Sequence, residues 1–316
     1  MYTALHGVGA DVFIRALGHA GHRVISVPEQ HAPDPDFPTA AFPNPEEPGT
    51  LDLAIALAEV EDADLILAND PDADRLAVAV KRGLGWERLT GDEIGVLLGS
   101  YLMESGAAGS LASTIVSSSL LAKLAAADGR TCHMTLTGFK WLARAADGSG
   151  SPLLFAYEEA LGYAVNSKIR DKDGISAGLV FAEMVGGLDE GQTVDNLLTA
   201  IYTEHGYHFT SQRSARFEGE DPMAQMEELM GSLRLNPPSM IGPANVESTV
   251  DLIDGTSEYS PSNVLIYNLD GGRVIIRPSG TEPKIKAYIE AIDADGDTAK
   301  DRLSKLEAAV AGMLTG

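Results

Sequence analysis

Apolar residues recur with helical and strand spacing through the first part of the chain and predict an α/β fold there. Helical spacing runs from Gly9 to Gly18 and again from Leu51 to Val60. Short apolar runs predict strands at Arg23–Val27 and Leu65–Ala68. The proline-rich stretch Pro28–Pro48 predicts a loop. Alternation of strands and helices predicts a largely parallel sheet whose ligands bind beyond the carboxyl ends of its strands.

A turn-rich segment at residues 81–85 precedes a second set of alternating elements. A helix is predicted to start at Thr90, and another follows Asp173. The remaining predicted elements are strands at Ser113–Val116, Cys132–Leu136 and Leu153–Ala156, and helices at Leu120–Ala127, Phe139–Ala146 and Val194–Tyr202. The pattern therefore predicts a second α/β unit.

The last part of the chain changes to successive strands with a helix on either side in sequence. The predicted strands are Val246–Ile253, Asn263–Asn268, Arg273–Arg277 and Ile285–Ile289, and the helices are Pro222–Leu233 and Thr298–Met313. The sequence therefore predicts two α/β domains with mainly parallel mixed sheets, at residues 1–84 and 85–205, and a smaller C-terminal α+β domain at residues 206–316.

Composition and charge argue against nucleic-acid binding, membrane insertion and secretion. The formal charge is −23, from 46 acidic and 23 basic residues, which disfavours binding to nucleic acid or anionic membranes. The chain has neither an apolar run long enough to span a bilayer nor a signal-peptide pattern at its start. Its single cysteine, Cys132, excludes an internal disulfide and fits a buried strand better than a nucleophile. We expect a cytoplasmic protein.

Three aspartates at alternate positions follow the strand at Leu65–Ala68. Asp70, Asp72 and Asp74 can direct carboxylate oxygens towards one point, and such oxygens are the ligands that Mg²⁺ prefers. The adjacent Arg75 predicts an anion nearby. A calcium EF-hand is excluded because Gly at position six and Glu at position twelve are absent. A solvated acidic turn without a ligand remains the alternative.

The segment 277–284 combines a cation with groups that suit a phosphate. Arg277 offers a forked guanidinium, Ser279 and Thr281 offer hydroxyls, and Gly280 allows backbone amides to approach an anion. The same residues also fit an ordinary Ser-Gly hairpin turn.

Three further segments follow predicted strands or precede helices. Thr137, Gly138 and Lys140 lie at a helix start that could bind an anion, although a lysine there can also point to solvent. Glu158 and Glu159 could accept hydrogen bonds from sugar hydroxyls. The segment 170–174 adds two cations, Arg170 and Lys172, beside a helix start. Charge-dense turns of this kind are usually only solvated.

Together the five segments resemble the α-D-phosphohexomutase family in wording and order. The resemblance spans the whole chain and implies the role of each segment. It implies Mg²⁺ ligands at Asp70, Asp72 and Asp74, catalytic roles for Arg75 and Lys172, and substrate binding by Thr137, Gly138, Lys140, Glu158, Glu159, Arg170, Arg277, Ser279, Gly280 and Thr281.

The family's first domain carries a phosphorylated serine in a Ser-His-Asn-Pro type loop, and no such sequence occurs in this chain. Residues 6–9 resemble the opening of the second family domain. The resemblance therefore implies a truncated chain or one subunit of a split enzyme, completed by a separate or missing phosphoserine domain. Ser117, Ser118 and Ser119 are predicted to begin a helix and are not assigned the phosphoryl group.

The activity implied is transfer of a phosphoryl group between the 1- and 6-positions of glucose or mannose phosphate, through a sugar bisphosphate. A 1- to 5-phosphate phosphopentomutase is the second reading, because Glu-Glu-Ala-Leu-Gly at residues 158–162 is closer to that branch than to Glu-Glu-Ser-Gly-His. A non-catalytic phosphosugar-binding module is the alternative of a different class. A metal-dependent phosphatase ranks last because no nucleophile motif is evident.

Overall fold

The computed structural model describes residues 1–280 and 282–315. The chain divides into two compact units, Met1–Ala200 and a second unit that starts at Ile201. Both contain helices packed on β-sheets, which are mixed in the first unit and antiparallel in the second, so the predicted fold class is confirmed. The division into three domains at the boundaries given above stays a prediction. In the described part of the chain, no helix combines the length and apolar character needed to cross a membrane.

The first sheet of the first unit carries the aspartate loop. Its elements are β1 (Tyr2–Thr3), β2 (Ile66–Ala68), β3 (Ala77–Arg82) and β4 (Gly85–Arg88), with helices α1 (Ala10–His19), α2 (Pro28–His31) and α3 (Asp52–Val60). The strand order is β1-β2-β3-β4, in which only β1 and β2 are parallel. The carboxyl ends of β1 and β2 therefore share one edge. The aspartates follow β2 at that edge.

Two predictions for this region were wrong. The strand predicted at Arg23–Val27 is reduced to a single bridge between Ser26 and Tyr2, because β1 is only two residues long and offers no more partners. The predicted proline-rich loop contains α2, where Pro28 occupies the first turn and its missing N–H costs no hydrogen bond.

The second sheet of the first unit has three parallel strands and one antiparallel strand. Its strands are β5 (Ser110–Thr114), β6 (Cys132–Thr135), β7 (Leu153–Glu158) and β8 (Gly162–Ala164), in the order β6-β5-β7-β8. The helices are α4 (Gly91–Glu104), α5 (Leu120–Ala127), α6 (Phe139–Leu142) and α7 (Gly174–Gly186), and α8 (Val194–His205) begins in this unit and ends in the second. Thr90 and Glu93 form a reciprocal capping box that fixes the predicted start of α4.

The helix predicted at Phe139–Ala146 is shorter in the structure. α6 ends at Leu142, and the backbone continues in turns whose hydrogen bonds span three residues, such as Arg144 to Trp141. Glycines with positive φ at positions 148 and 150 then reverse the chain before β7. The apolar spacing here reflects packing of successive turns on the sheet.

The second unit has one six-stranded antiparallel sheet. Its elements are β9 (Tyr207–Arg216), β10 (Met240–Ile241), β11 (Ala244–Asp251), β12 (Leu265–Leu269), β13 (Gly272–Pro278), β14 (Lys284–Asp293), α9 (Pro222–Leu235) and α10 (Gly296–Thr315). The order is β10-β11-β12-β13-β14-β9. Met226 and Met230 of α9 and Leu306 and Val310 of α10 join the buried core with Ile276 of β13. The long strand β9 was missed because it is an edge strand with mostly polar residues.

Candidate active site

The aspartate loop gathers its three carboxylates. One oxygen from each of Asp70, Asp72 and Asp74 lies within 4.8 Å of the others. The loop turns through Ala73, whose φ is +61°, and the Ala73 amide donates to the Asp70 carbonyl oxygen at 2.9 Å. The resulting cluster of oxygen donors fits a hard dication such as Mg²⁺.

Arg75 lies between two carboxylates. Its backbone amide donates to Asp70 Oδ1 at 3.0 Å, and its Nε lies 3.5 Å from Asp70 Oδ2. On its other side, its Nη1 lies 3.9 Å from Glu46 Oε2. Sequence reasoning missed Glu46, because nothing in the proline-rich segment distinguishes it from the neighbouring Glu47. The guanidinium is about one-third exposed and can therefore meet an external anion.

The electrostatics of the cluster support a cation at this place. Burial raises the pKa of Asp70 to about 6, and repulsion from Asp72 and Asp74 adds to this, against the opposing effect of Arg75. Three carboxylates with one adjacent guanidinium hold an excess of negative charge that a dication would offset. The donor set and its charge thus agree with the predicted metal site.

The loop after β7 and the segment before α7 meet the aspartate loop. Lys172 Nζ pairs with the carboxylate of Asp74. Burial lowers the pKa of Lys172, but Asp74 and Glu158 outweigh it, so the net shift is upward and the lysine stays charged. Burial raises the pKa of Glu158, while Lys172 and Arg75 act in the opposite direction. These four side chains therefore form one interacting cluster, although they come from separate segments of the sequence.

Glu159 is held from two sides. Its Oε2 accepts from the hydroxyls of Thr114 and Ser117, each at 3.3 Å, and its amide donates to Ser117 Oγ at 3.1 Å. Behind the loop, a Cβ on Gly91 would come within 1.9 Å of the Glu159 carbonyl oxygen. Tyr163 adds a hydrogen bond from its hydroxyl to the Gly91 carbonyl at 3.2 Å. The Glu-Glu loop is thus fixed against the start of α4.

The serine cluster before α5 is buried. Ser117 and Ser118 are each at most 1% exposed. The Ser118 amide donates to Asp92 Oδ1 at 2.7 Å, and Tyr157 donates to the same oxygen at 2.9 Å. As predicted, the serines lead into a helix. Their burial and bonding do not suit a phosphoryl-carrying group.

Two other predicted substrate segments of the first unit have local partners. Arg170 makes two hydrogen bonds to Asp147, at 2.8 and 2.6 Å, on an exposed surface. Lys140 is exposed, with its ammonium 5.2 Å from the ring centre of Trp141. Thr137 and Gly138 precede α6, which is a single turn, so the helix-terminus argument for an anion there is weaker than the sequence implied.

The predicted phosphate segment of the second unit forms the hairpin between β13 and β14. Arg277 is paired with Lys286, and Arg216 with Lys284, so the four cations lie on the sheet face opposite the core that contains Ile276.

Ser279 closes the turn of this hairpin. Its amide donates to the Lys284 carbonyl at 2.7 Å, and its hydroxyl accepts from the Glu282 amide at 3.3 Å. Gly280 is exposed at the tip, while the prediction for Thr281 falls outside the described residues. The hairpin reading of this sequence is correct, and the hairpin also presents a basic face.

Family models match three consecutive segments of the chain. Phosphoglucomutase/phosphomannomutase α/β/α domain II matches residues 1–83, α/β/α domain III matches residues 90–205, and the C-terminal domain matches residues 215–308.

Two curated relatives show the same similarity along the chain. A probable phosphomannomutase of Haemophilus influenzae is 43% identical, over 99% of this chain and 64% of that protein. A mouse phosphopentomutase is 37% identical, over 96% of this chain and 54% of that protein. The chain thus spans between about half and two thirds of the length of these relatives.

A solved structure agrees on the fold. The open form of pp63/parafusin, a phosphoglucomutase of Paramecium, has a TM-score of 0.74 and 21% identity, over 99% of this chain and 57% of that chain. At this identity the likeness concerns the fold alone.

Proposed function

Because this chain belongs to the phosphoglucomutase/phosphomannomutase family, we propose that it takes part in moving a phosphoryl group between the 1- and 6-positions of glucose or mannose phosphate. A sugar bisphosphate is the intermediate and activator. The observation that carries the proposal is the cluster of Asp74, Lys172, Glu158 and Arg75. It combines a carboxylate site for a dication with cations for phosphate and a carboxylate for a sugar hydroxyl.

Asp70, Asp72 and Asp74 hold Mg²⁺ in this proposal. When bound, the ion supplies positive charge that stabilises the transferring phosphoryl group. Arg75 binds the phosphoryl oxygens from the adjacent side, where its guanidinium is accessible. Lys172 shares its charge between Asp74 and the substrate phosphate, and its raised pKa keeps that charge at neutral pH.

The other predicted residues bind the part of the substrate that does not react. Glu158 and Glu159 accept hydrogen bonds from sugar hydroxyls, and the fixed Glu159 loop keeps both in place. The remaining substrate-binding residues of the proposal are Thr137, Gly138, Lys140, Arg170, Arg277, Ser279, Gly280 and Thr281. The basic face around Arg277 suits a phosphate because it concentrates cations in a chain of strong net negative charge.

The phosphoryl donor in the proposal is a phosphoserine outside this sequence, on a separate or preceding domain. The buried serines at 117 and 118 support this assignment. Val8 is 67% exposed and Val12 is 46% exposed, just before and within α1 beside the aspartate loop. Apolar side chains exposed at this place fit the packing of another domain.

A pentose phosphate is the second candidate substrate, with transfer between the 1- and 5-positions. It is favoured by the Glu-Glu-Ala-Leu-Gly sequence at residues 158–162 and by the similarity to mouse phosphopentomutase. A phosphosugar-binding subunit without its own activity is the candidate of a different class.

Coupled assays separate these readings. The purified chain is supplied with Mg²⁺, a catalytic amount of glucose 1,6-bisphosphate, and glucose 1-phosphate, mannose 1-phosphate or ribose 1-phosphate, with and without a phosphoserine domain expressed from a full-length family member. We expect turnover of a hexose phosphate only when that domain is present, and loss of turnover in Asp72→Asn. Glu59→Gln, which removes an exposed carboxylate on α3, serves as the control.

Each outcome favours one reading. Turnover confined to ribose 1-phosphate would assign the pentose reaction. Binding of sugar phosphate without turnover, even with the added domain, would support the binding-only reading. Release of free phosphate would indicate a phosphatase and refute the proposal.

A further inference from the structure

The side chain of Asn69 is fully buried directly behind the aspartate loop. Its Nδ2 donates to the carbonyl oxygen of Arg75 at 2.5 Å, and its Oδ1 accepts from the hydroxyl of Tyr2 at 3.0 Å. Asn69 precedes the first aspartate and Arg75 follows the last. The amide therefore closes the loop at its base.

The backbone of Arg75 is held at both of its polar groups. Its N–H donates to Asp70 Oδ1 at 3.0 Å, and its carbonyl accepts from Asn69. Asp70 directly follows Asn69, and Asp74 directly precedes Arg75. These two hydrogen bonds tie the Arg75 backbone, which follows the last aspartate, to the residue before the loop and to the first aspartate.

The surroundings of Asn69 leave its amide no second orientation. A Cβ on Gly174 would come within 2.5 Å of Asn69 Nδ2 and 2.1 Å of the Arg75 carbonyl oxygen. On the other side, the Tyr2 ring stacks on Phe13 with 4.1 Å between ring centres. Because the Arg75 carbonyl can only accept, Nδ2 faces it, and the Tyr2 hydroxyl then donates to Oδ1.

We propose that Asn69 is a positioning residue for the metal site: its amide holds Asp70, Asp74 and Arg75 in the arrangement that binds the dication. The inference rests on the proposed function only in taking the three aspartates as metal ligands. Leucine at position 69 would leave the partly buried Arg75 carbonyl without its donor. Aspartate, which has the same shape, would place two acceptor oxygens against each other. Both changes should weaken metal binding, although only one of them alters charge.

The test measures Mn²⁺ binding to the 316-residue chain, with free Mn²⁺ followed by electron paramagnetic resonance. Asn69→Leu and Asn69→Asp are expected to weaken binding about tenfold or more, the usual effect of losing a group that orients metal ligands. Tyr2→Phe keeps the ring stacking and should weaken binding less. Combined with Asn69→Leu it should add nothing, because the hydroxyl acts through Asn69.

A matched control separates positioning from general destabilisation. Gln30 is another fully buried amide of the same unit, and it bonds the hydroxyls of Thr3 and Thr39. Gln30→Met should lower the melting temperature and leave Mn²⁺ affinity unchanged. An equal loss of affinity in this control would refute the inference, as would wild-type affinity in the Asn69 variants.

Two further outcomes complete the test. If Asn69→Leu does not fold, Tyr2→Phe decides, and unchanged affinity there would refute the inference. Absence of Mn²⁺ binding in the wild-type chain would refute the metal site itself, and the positioning role with it. By contrast, equal Mn²⁺ binding by the wild type and the Asn69 variants would refute only the positioning role and leave the metal site in place.

Discussion

Asp70→Asn should stabilise the metal-free first unit at neutral pH. The structure raises the pKa of Asp70 from an ordinary value of 3.8 to about 6, first through burial and then through the neighbouring aspartates. The folded state therefore binds a proton more tightly than the unfolded state. The contribution of Asp70 to stability is therefore greatest below its unfolded pKa and is lost as pH rises through about 6.

The magnitude follows from the size of the shift. About two pKa units correspond to about 3 kcal/mol of strain in the ionised, metal-free loop. The Asp70 side chain is only 14% exposed, so solvent screens this little. Asparagine keeps an acceptor for the Arg75 amide and removes the charge. We expect Asp70→Asn to be more stable than the wild type by up to about 3 kcal/mol at pH 8, with the difference vanishing below the unfolded pKa of 3.8.

Urea unfolding in EDTA, followed by tryptophan fluorescence, measures this difference. The two tryptophans, Trp86 and Trp141, both lie in the first unit, so the signal reports that unit alone. Glu59→Gln removes an exposed carboxylate from the same unit and should change little. In saturating Mg²⁺ the order should reverse, because the wild type gains binding energy that the variant lacks.

Equal stability of Asp70→Asn and wild type at pH 8 in EDTA would contradict this reasoning. A stabilisation independent of pH would contradict it as well, because the effect would then come from packing. In either case the ionised aspartate would not be the source of strain in the loop.

Two other changes test the contacts around the loop. Gly174→Ala should destabilise the first unit by about 1–3 kcal/mol in urea unfolding, because its Cβ would meet the Arg75 carbonyl at 2.1 Å. Gly18→Ala in α1 is the control, because a Cβ there meets nothing within 4 Å, and it should stabilise the unit by up to about 1 kcal/mol. Equal effects of the two would argue against the close contact. Lys172→Met should tighten Mn²⁺ binding up to about fivefold in a direct titration, because it removes the ammonium that pairs with Asp74. Weaker binding would show that the lysine supports the metal site instead of competing with the ion.

Helices were predicted correctly where the spacing of apolar residues and the residues at the helix ends indicate the same element. α4 begins after a capping box at Thr90, and α10 carries a long amphipathic pattern. The aspartate cluster was also predictable, because alternate acidic residues after a strand lie on one short loop. These features depend on local chemistry, which the residues themselves encode.

The features that the sequence did not predict depend on contacts between residues that are distant in sequence. Nothing near Glu46 or Asn69 marks them as neighbours of Arg75, since their contacts arise only when the chain folds. Similarly, the mostly polar sequence of β9 does not predict a strand, and its pairing with β14 becomes evident only in the folded sheet. The bonding of Glu159 to Thr114 likewise needed the parallel pairing of β5 and β7.

The start of α4 and the Glu-Glu loop are packed without space for an added methyl group between them. Gly91 contacts the carbonyl of Glu159, and a Cβ on Gly95 would come within 2.5 Å of the Tyr157 ring. If the Glu-Glu loop binds the sugar, as proposed above, substitutions in the first turn of α4 should alter sugar preference by shifting this loop, without a change in either glutamate. Under that proposal, a mutagenesis library limited to residues 157–163 would leave the contacting residues of α4 unvaried, and one that also varies residues 90–95 should yield a wider range of sugar preferences.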